Sequence, residues 1–247
     1  MEKINIGFIG GCINKQKGIK RSELFYSVIS QKLKNKIDVN ISLYNYHSYE
    51  SLPEDVELFI NKKKPNVLCL FIRPFPLMPL NKVFIKHIAK NGKKRIALHP
   101  QIFFRKKRWD INFSAPETGP YNFKKVNKLS LKDVNIIAGF ALGINHWGTQ
   151  FIIDRVEKVN NLCQSKNIKL ILVSPPKYTA SLMSNLICSR LTANLKAYCD
   201  SKIKYVNINE FNDFEEDKIH FSTTGHKNLG EAIFQKINDI LKYNNTH

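Results

Sequence analysis

The sequence predicts an α/β fold in which a doubly wound parallel sheet is flanked by helices. Three apolar runs of strand length support this prediction, at residues 4–9, 67–72 and 168–174. Segments with apolar residues at helical spacing separate these runs, and such alternation indicates parallel strands joined by crossover helices. Because 247 residues can bury one core of this kind, we expect a single domain over residues 1–247.

The first elements follow one another closely along the chain. The strand at residues 4–9 leads into Gly10-Gly11-Cys12, and residues 20–35 have the spacing of a first helix. Residues 37–43 alternate with β-branched side chains and predict the second strand. Pro53 fits the first turn of a second helix, which ends near Lys63, before the strand at 67–72.

The later elements continue the same alternation. A closing helix with Leu229, Ile233 and Ile237 on one face is expected to extend to about Tyr243. Its cap is predicted to be Ser222 or Thr223. Before it the sequence predicts helix 77–91, strand 95–98, a helix beginning after Gly148, strand 168–174, helix 181–200 and strand 203–208.

Residues 99–148 form a long insertion that mixes aromatic side chains with the basic run Arg105-Lys-Lys-Arg108. Long loops of this kind are often lids or binding loops. Its aromatics could line a pocket for an acyl or aryl group, and its basic run could hold a phosphate or a carrier-protein surface. A packed structural extension is the alternative.

The stretch before the closing helix, Asp217-Lys-Ile-His220, has the spacing of a catalytic dyad. The Asp217 carboxylate can accept the Nδ1–H of His220, which leaves Nε2 free to take a proton from a nucleophile. A surface Asp and His near a helix start is the alternative. His99 and His146 are rival general bases, but neither has an acid three residues before it.

The first strand offers a nucleophile for this dyad. A strand, a small-residue turn, a nucleophilic residue and a helix expose a side chain at the carboxyl edge of a parallel sheet. Gly10-Gly11-Cys12 follows that order, so Cys12 is the candidate nucleophile. Thiolates are strong nucleophiles near neutral pH even without complete deprotonation.

Both ends of the chain resemble the SGNH/GDSL hydrolase family, whose fold is a flavodoxin-like three-layer sandwich. In that family the first strand ends in Gly-Asp-Ser, with Ser as the nucleophile, and the last loop carries Asp-x-x-His. Gly10-Gly11-Cys12 stands at the first motif, and Asp217-Lys-Ile-His220 matches the second. The likeness covers roughly residues 1–72 and 149–243. It implies an acyl-ester or thioester hydrolase or acyltransferase that uses a Cys12-His220-Asp217 triad through a thioacyl intermediate.

The third strand departs from the family pattern. It ends in Arg73-Pro-Phe-Pro, where the family usually has Gly-x-Asn-Asp and its Asn donates into the oxyanion hole. Arg73 can take over that role beside the backbone N–H groups around Gly11, or bind a substrate carboxylate or phosphate. An Arg73 paired with an acid at the sheet edge is the structural alternative.

These departures also keep a second function open. Gly11, Cys12 and Arg73 stand where the family has Asp, Ser and Asn. The chain is therefore either an enzyme with a cysteine nucleophile or a non-catalytic SGNH-fold protein that binds a glycan, an acyl group or a protein partner.

The formal net charge is +19, with 39 Lys and Arg against 20 Asp and Glu. An anionic partner, which could be nucleic acid, anionic lipid or an acidic substrate, is one interpretation of such a charge. We favour a compositional origin, because only seven of the basic residues are Arg, and Arg reads base edges better than Lys. The expected partner is a small-molecule or carrier-bound acyl substrate rather than nucleic acid.

The apolar segments and the cysteines predict the protein's location and its thiol chemistry. No 18-residue apolar run predicts a membrane span, and the N-terminal strand lacks a cleavage site, so we expect a cytoplasmic protein. Its five cysteines should be free thiols, with Cys69, Cys163, Cys188 and Cys199 as small core residues. Their spacing predicts no metal site, and no cofactor is expected. The oligomeric state stays open.

Overall fold

The computed structural model of the chain describes its α/β core and the loops at one edge of the sheet. For residues 12, 15, 109–111, 144–148, 182–184, 187 and 242–244 it describes the backbone alone. The described residues are 3–10, 12–16, 18–34, 37–46, 49, 51–73, 109–111, 144–177, 182–200, 203–211, 213–215 and 220–244.

Six described strands form one sheet in the order β4-β2-β1-β3-β5-β6. Five of them are parallel, and β4 is antiparallel to β2 at one edge. Their bounds are β1 (Lys3–Gly10), β2 (Asp38–Asn45), β3 (Val67–Phe71), β4 (Trp109–Ile111), β5 (Lys169–Val173) and β6 (Lys204–Val206).

The two central strands are the most deeply buried part of the sheet. Every residue of β3 is buried, and so is β1 from Ile6 to Gly10. Strands covered on both faces consist of nearly continuous apolar residues, which explains why the sequence predicts these two so clearly. Both strands end at the same edge, where the residues that follow them approach one another.

Helices cover both faces of this sheet. Their bounds are α1 (Phe25–Leu33), α2 (Leu52–Lys63), α3 (Ile144–Ser165), α4 (Leu182–Cys199) and α5 (Thr223–Asn244). One apolar core lies between the sheet and the pair α1 and α5, and the other lies under α2, α3 and α4. This three-layer arrangement confirms the predicted doubly wound α/β fold. None of the described helices is both long and apolar enough to cross a membrane.

Several element boundaries differ from the sequence prediction. Helix α1 begins at Phe25 rather than near residue 20, after a 3-10 turn at Arg21–Glu23. Helix α3 begins at Ile144 and contains Gly148, because one glycine costs about 1 kcal/mol in a helix and does not by itself end it. Strand β6 stops at Val206, before a 3-10 turn at Ile208–Glu210. The Asn207 side chain accepts a hydrogen bond from the backbone N–H of Asn209, and this local bond competes with strand pairing.

Strand β4 belongs to the insertion and was not predicted. Its three residues pair with Leu43, Tyr44 and Asn45 of β2. A segment this short has no periodicity of its own, and its pairing depends on contacts distant in sequence. Apart from β4 and the start of α3, the insertion lies outside the described residues, as do the predicted helix 77–91 and strand 95–98.

Candidate active site

The segment after β1 is anchored at the carboxyl edge of the sheet. A 3-10 turn spans Cys12–Lys15, so Cys12 begins the segment that directly follows the central strand. The fully buried Asn14 donates from Nδ2 to the carbonyl oxygens of Tyr44 (3.2 Å) and Phe8 (3.5 Å). These two bonds fix the turn over the ends of β1 and β2.

Arg73 follows β3 at the same edge. Its backbone N–H donates to the Tyr49 hydroxyl (2.6 Å), and that hydroxyl donates to the Arg73 carbonyl oxygen (2.8 Å). Burial raises the pKa of Tyr49 well above its usual value, and the neighbouring Tyr46 adds to the shift, so the hydroxyl stays protonated. The loop after β2 thereby fixes the backbone at the end of β3.

The guanidinium of Arg73 lies against the same loop. Its centre is 3.7 Å from the centroid of the Tyr46 ring, and Nη2 donates to the Tyr46 carbonyl oxygen (2.8 Å). Among the described residues no carboxylate forms an ion pair with Arg73, and its buried Nε has no hydrogen-bond partner. Within the described part of the chain, the arginine is therefore positioned by aromatic stacking and a carbonyl oxygen.

His220 lies on a short antiparallel hairpin beside this edge. Phe214 and Phe221 form the β-bridge, with ring centroids 4.8 Å apart. The backbone N–H of Glu215 donates to the His220 carbonyl oxygen (2.8 Å), and that of Ser222 donates to the Asp213 carbonyl oxygen (3.0 Å). His220 is thus held on the returning arm, immediately before α5.

The first turn of α5 is attached to this hairpin. The Ser222 hydroxyl accepts from the backbone N–H of Gly225 (3.0 Å), so Ser222 is the cap, one of the two residues predicted for it. A Cβ on Gly225 would lie 2.3 Å from the Asp213 carbonyl oxygen. Only glycine allows the helix to approach the hairpin this closely.

Two buried polar side chains that the sequence analysis did not single out join the two loops. The amide of Gln16 donates to the Phe221 carbonyl oxygen and accepts from the Phe221 N–H (3.2 Å). Its Oε1 also lies 3.1 Å from Nε2 of His226. The sequence pattern does indicate that His226 is buried, because it shares the apolar face of α5 with Leu229 and Ile233.

His226 is neutral at physiological pH. It is fully buried, its ring stacks on Phe25 with centroids 6.2 Å apart, and its Nδ1 has no partner among the described residues. Burial lowers the pKa of its imidazole to about 3, and repulsion by His220 contributes in the same direction. A charge on His226 is therefore disfavoured throughout the neutral range.

The described structure brings three of the predicted site segments to one edge. Cys12, of which the backbone alone is described, follows β1, and Arg73 follows β3. His220 lies between β6 and α5. The side chain of Cys12, together with Gly11 and Asp217, lies outside the described residues, so the triad stays a prediction. The rival base His99 also lies outside them, and His146 is described by its backbone alone.

The described part of the chain contains no group of three or more His, Cys, Asp or Glu side chains that could hold a metal ion.

Comparison with known proteins by sequence found neither a matching family model nor a matching curated protein. Solved structures do resemble the chain. A protein described as lipolytic and of the G-D-S-L family, from Desulfitobacterium hafniense DCB-2, superposes with a TM-score of 0.52 at 14% identity, over 94% of this chain and 98% of that one.

Two esterases show the same likeness. An acetylxylan esterase from Geobacillus stearothermophilus has a TM-score of 0.56 at 9% identity, over 96% of this chain and 95% of its own. A psychrotrophic esterase from Pseudoalteromonas sp. has a TM-score of 0.52 at 8% identity, over 96% and 98%. Identities this low establish the fold alone. The resemblance predicted from the two end motifs is thus confirmed at that level, and the chain has the fold of the SGNH/GDSL hydrolases.

Proposed function

We propose that the chain is an SGNH-type hydrolase or acyltransferase for a small-molecule or carrier-bound acyl ester or thioester. Cys12 is the nucleophile, His220 the general base and acid, and Asp217 the residue that orients His220. One observation carries the proposal: Gln16, four residues after Cys12, is hydrogen-bonded to the backbone of Phe221, the residue after His220. The segments that carry the nucleophile and the base therefore contact each other.

The reaction would proceed in two displacements. His220 takes the proton of the Cys12 thiol, and the sulfur attacks the acyl carbonyl to form a tetrahedral oxyanion. The bond to the leaving group then breaks, and His220 returns the proton to that group, which leaves a thioacyl enzyme. Water, or an acceptor alcohol or amine, attacks the thioester after His220 has removed its proton, and this releases the acyl group and restores the thiol.

The other four cysteines are poor candidates for the nucleophile. Cys69, Cys163, Cys188 and Cys199 are all buried free thiols, as predicted. Burial raises the pKa of each of the last three to about 12, and that of Cys69 further. A thiol with such a pKa forms almost no thiolate at neutral pH, so it is inert as a nucleophile.

The oxyanion requires donors where the family uses an Asn. The backbone N–H groups around Gly11 and Cys12 supply part of the site, and Arg73 supplies the rest. With Nη2 bound to the Tyr46 carbonyl and Nε without a described partner, the guanidinium keeps further N–H groups for a ligand. Such preorganised donors stabilise charge that develops in the transition state.

A non-catalytic binding function is the second candidate. The observation that favours it is the loss of three family residues at one site, since Gly11, Cys12 and Arg73 replace Asp, Ser and Asn. In that case the same edge would bind a glycan, an acyl group or a protein without turnover.

Probe labelling separates the two functions. A thiol-reactive acyl probe, such as an acyl fluoride, should label the wild type and Cys199→Ala equally. Cys12→Ala should not be labelled, and His220→Ala should be labelled much more slowly. Cys199→Ala is the matched control, because it removes a buried thiol at the C-terminal end of α4. Labelling of Cys12→Ala at the wild-type rate would contradict the proposed nucleophile, and no labelling of any variant would favour the binding function.

A further inference from the structure

The side chain of Gln16 fills the space between the segment after β1 and the hairpin that carries His220. It is 4% exposed and makes two hydrogen bonds to Phe221 and a third to His226. Glutamines are seldom buried, and a buried amide is stable only when its donors and acceptor are paired. The three bonds therefore indicate a specific role for this position.

The backbone of Phe221 fixes which way the Gln16 amide points. The Phe221 N–H can only donate, so it faces Oε1, and the Phe221 carbonyl can only accept, so it faces the Gln16 NH2 group. Because Oε1 is an acceptor, the hydrogen bond from His226 must come from a protonated Nε2. The tautomer of His226 is thereby assigned, with its lone pair on Nδ1.

His226 is itself held rigidly. Its backbone N–H donates to the Ser222 carbonyl oxygen (2.9 Å) in the capped first turn of α5. Its ring lies between Phe25, at a centroid distance of 6.2 Å, and Phe221, at 5.9 Å. Since the imidazole stays neutral, it offers Gln16 a donor that does not change with pH in the neutral range.

We propose that Gln16 and His226 are positioning residues that hold the His220 hairpin against the segment carrying Cys12. Gln16 belongs to the segment that Asn14 fixes on the sheet, and His226 belongs to the helix that the hairpin enters. The pair therefore sets how far the base lies from the nucleophile. This inference rests on the proposed function for its catalytic consequence, but the contact between the loops is a separate claim with its own measurement.

Three substitutions test the pair. Gln16→Met keeps the length of the side chain and removes all three hydrogen bonds. His226→Leu removes the donor to Gln16 together with the ring contacts to Phe25 and Phe221. His226→Gln also lacks the ring but restores an N–H donor near the position of Nε2, so it should rescue the effect if the hydrogen bond is what matters. Asn160→Leu is the matched control, because it replaces a buried polar residue of α3 that is 5% exposed and lies on the other face of the sheet.

The first readout is the pH profile of Cys12 alkylation by iodoacetamide, followed by mass spectrometry. In the wild type His220 should lower the apparent pKa of Cys12. In Gln16→Met and His226→Leu that pKa should rise toward the free value of about 8.5, and labelling at pH 6.5 should fall about tenfold. His226→Gln and Asn160→Leu should keep the wild-type profile. A profile in Gln16→Met identical to that of the wild type would overturn the inference.

The second readout is hydrogen exchange of peptides that cover residues 211–222. Exchange there should be faster in Gln16→Met than in the wild type, with no change in β5. If the wild-type Cys12 profile is the same as in His220→Asn, the proposed triad is wrong, and exchange alone decides the contact between the loops. Faster exchange then supports the pair as a link between the two segments, and unchanged exchange overturns it.

Discussion

Tyr49 and Arg73 are joined by two hydrogen bonds through a single hydroxyl group. The Arg73 N–H donates to it at 2.6 Å, and it donates to the Arg73 carbonyl oxygen at 2.8 Å. The Tyr49 side chain thus provides the hydrogen bonds that a neighbouring strand would provide if β3 continued beyond Phe71. The backbone at Arg73 is fixed by this hydroxyl, and the position of the guanidinium depends on it.

Tyr49→Phe should lower the free energy of unfolding by about 1–3 kcal/mol, because two partly buried backbone groups lose their partner. Urea denaturation measures the change. Tyr205→Phe is the control, since its hydroxyl donates to the Thr192 carbonyl oxygen over a longer 3.3 Å, and the change should cost less. Equal losses in the two variants would show that the pair of hydrogen bonds to Arg73 adds nothing to the stability.

Arg73→Lys keeps the charge and loses the planar fork. If Arg73 stabilises the oxyanion, kcat and kcat/KM should fall together by roughly 10²–10³, with little change in KM. Steady-state kinetics on a substrate identified by probe competition measures both constants. A higher KM with unchanged kcat would instead assign Arg73 to binding a substrate carboxylate or phosphate.

Asp217→Asn should leave the fold intact and favour the wrong tautomer of His220. Turnover should then fall by roughly 10²–10⁴-fold, the range of a lost general base. Asp213→Asn, which changes an acid four residues earlier in the sequence, is the control and should retain activity. If the two variants turn over substrate at the same rate as the wild type, Asp217 has no part in the mechanism.

The buried His226 predicts that stability falls in acid. Its folded pKa of about 3 is below the unfolded value of about 6.5, so between these pH values the unfolded chain binds a proton that the folded chain does not. The contribution of His226 to the free energy of unfolding is fully present above pH 6.5. It decreases as the pH falls toward 3, with a slope of up to about 1.4 kcal/mol per pH unit.

Urea denaturation from pH 7 to pH 4.5 measures this slope. His226→Gln keeps the donor to Gln16 and removes the titrating group, so its stability should depend less on pH than that of the wild type. Parallel curves for the two proteins would mean that His226 is protonated in the folded state at a more ordinary pH.

Local sequence patterns were sufficient to predict most of the fold. Strands β1 and β3 are covered on both faces and consist of nearly continuous apolar residues. Helix α5 has Leu229, Ile233 and Ile237 on one face, so its apolar residues recur at helical spacing. The end motifs likewise placed Cys12 and His220 on loops that the structure brings to one edge. These features are visible because each is encoded within a few neighbouring residues.

Contacts between distant segments could not be predicted in this way. Gln16 and His226 are 210 residues apart, and no local period indicates that an amide at one position meets an imidazole at the other. The same is true of Tyr49 and Arg73, where a tyrosine in an aromatic loop gives no sign of which backbone it will bind. Such polar contacts are specified by the assembled sheet.

The antiparallel strand β4 has a consequence for how the protein behaves in concentrated solution. An uncovered edge strand offers free N–H and C=O groups to other chains and promotes aggregation. In β2, β4 covers Leu43, Tyr44 and Asn45, which form the more apolar half of that strand. No described strand pairs with the outer side of residues 38–42, where Asp38, Asn40 and Ser42 alternate along the strand. The half of β2 that would pair most readily with a strand of a second molecule is therefore already paired with β4. The other half has polar side chains, which disfavour the addition of a strand.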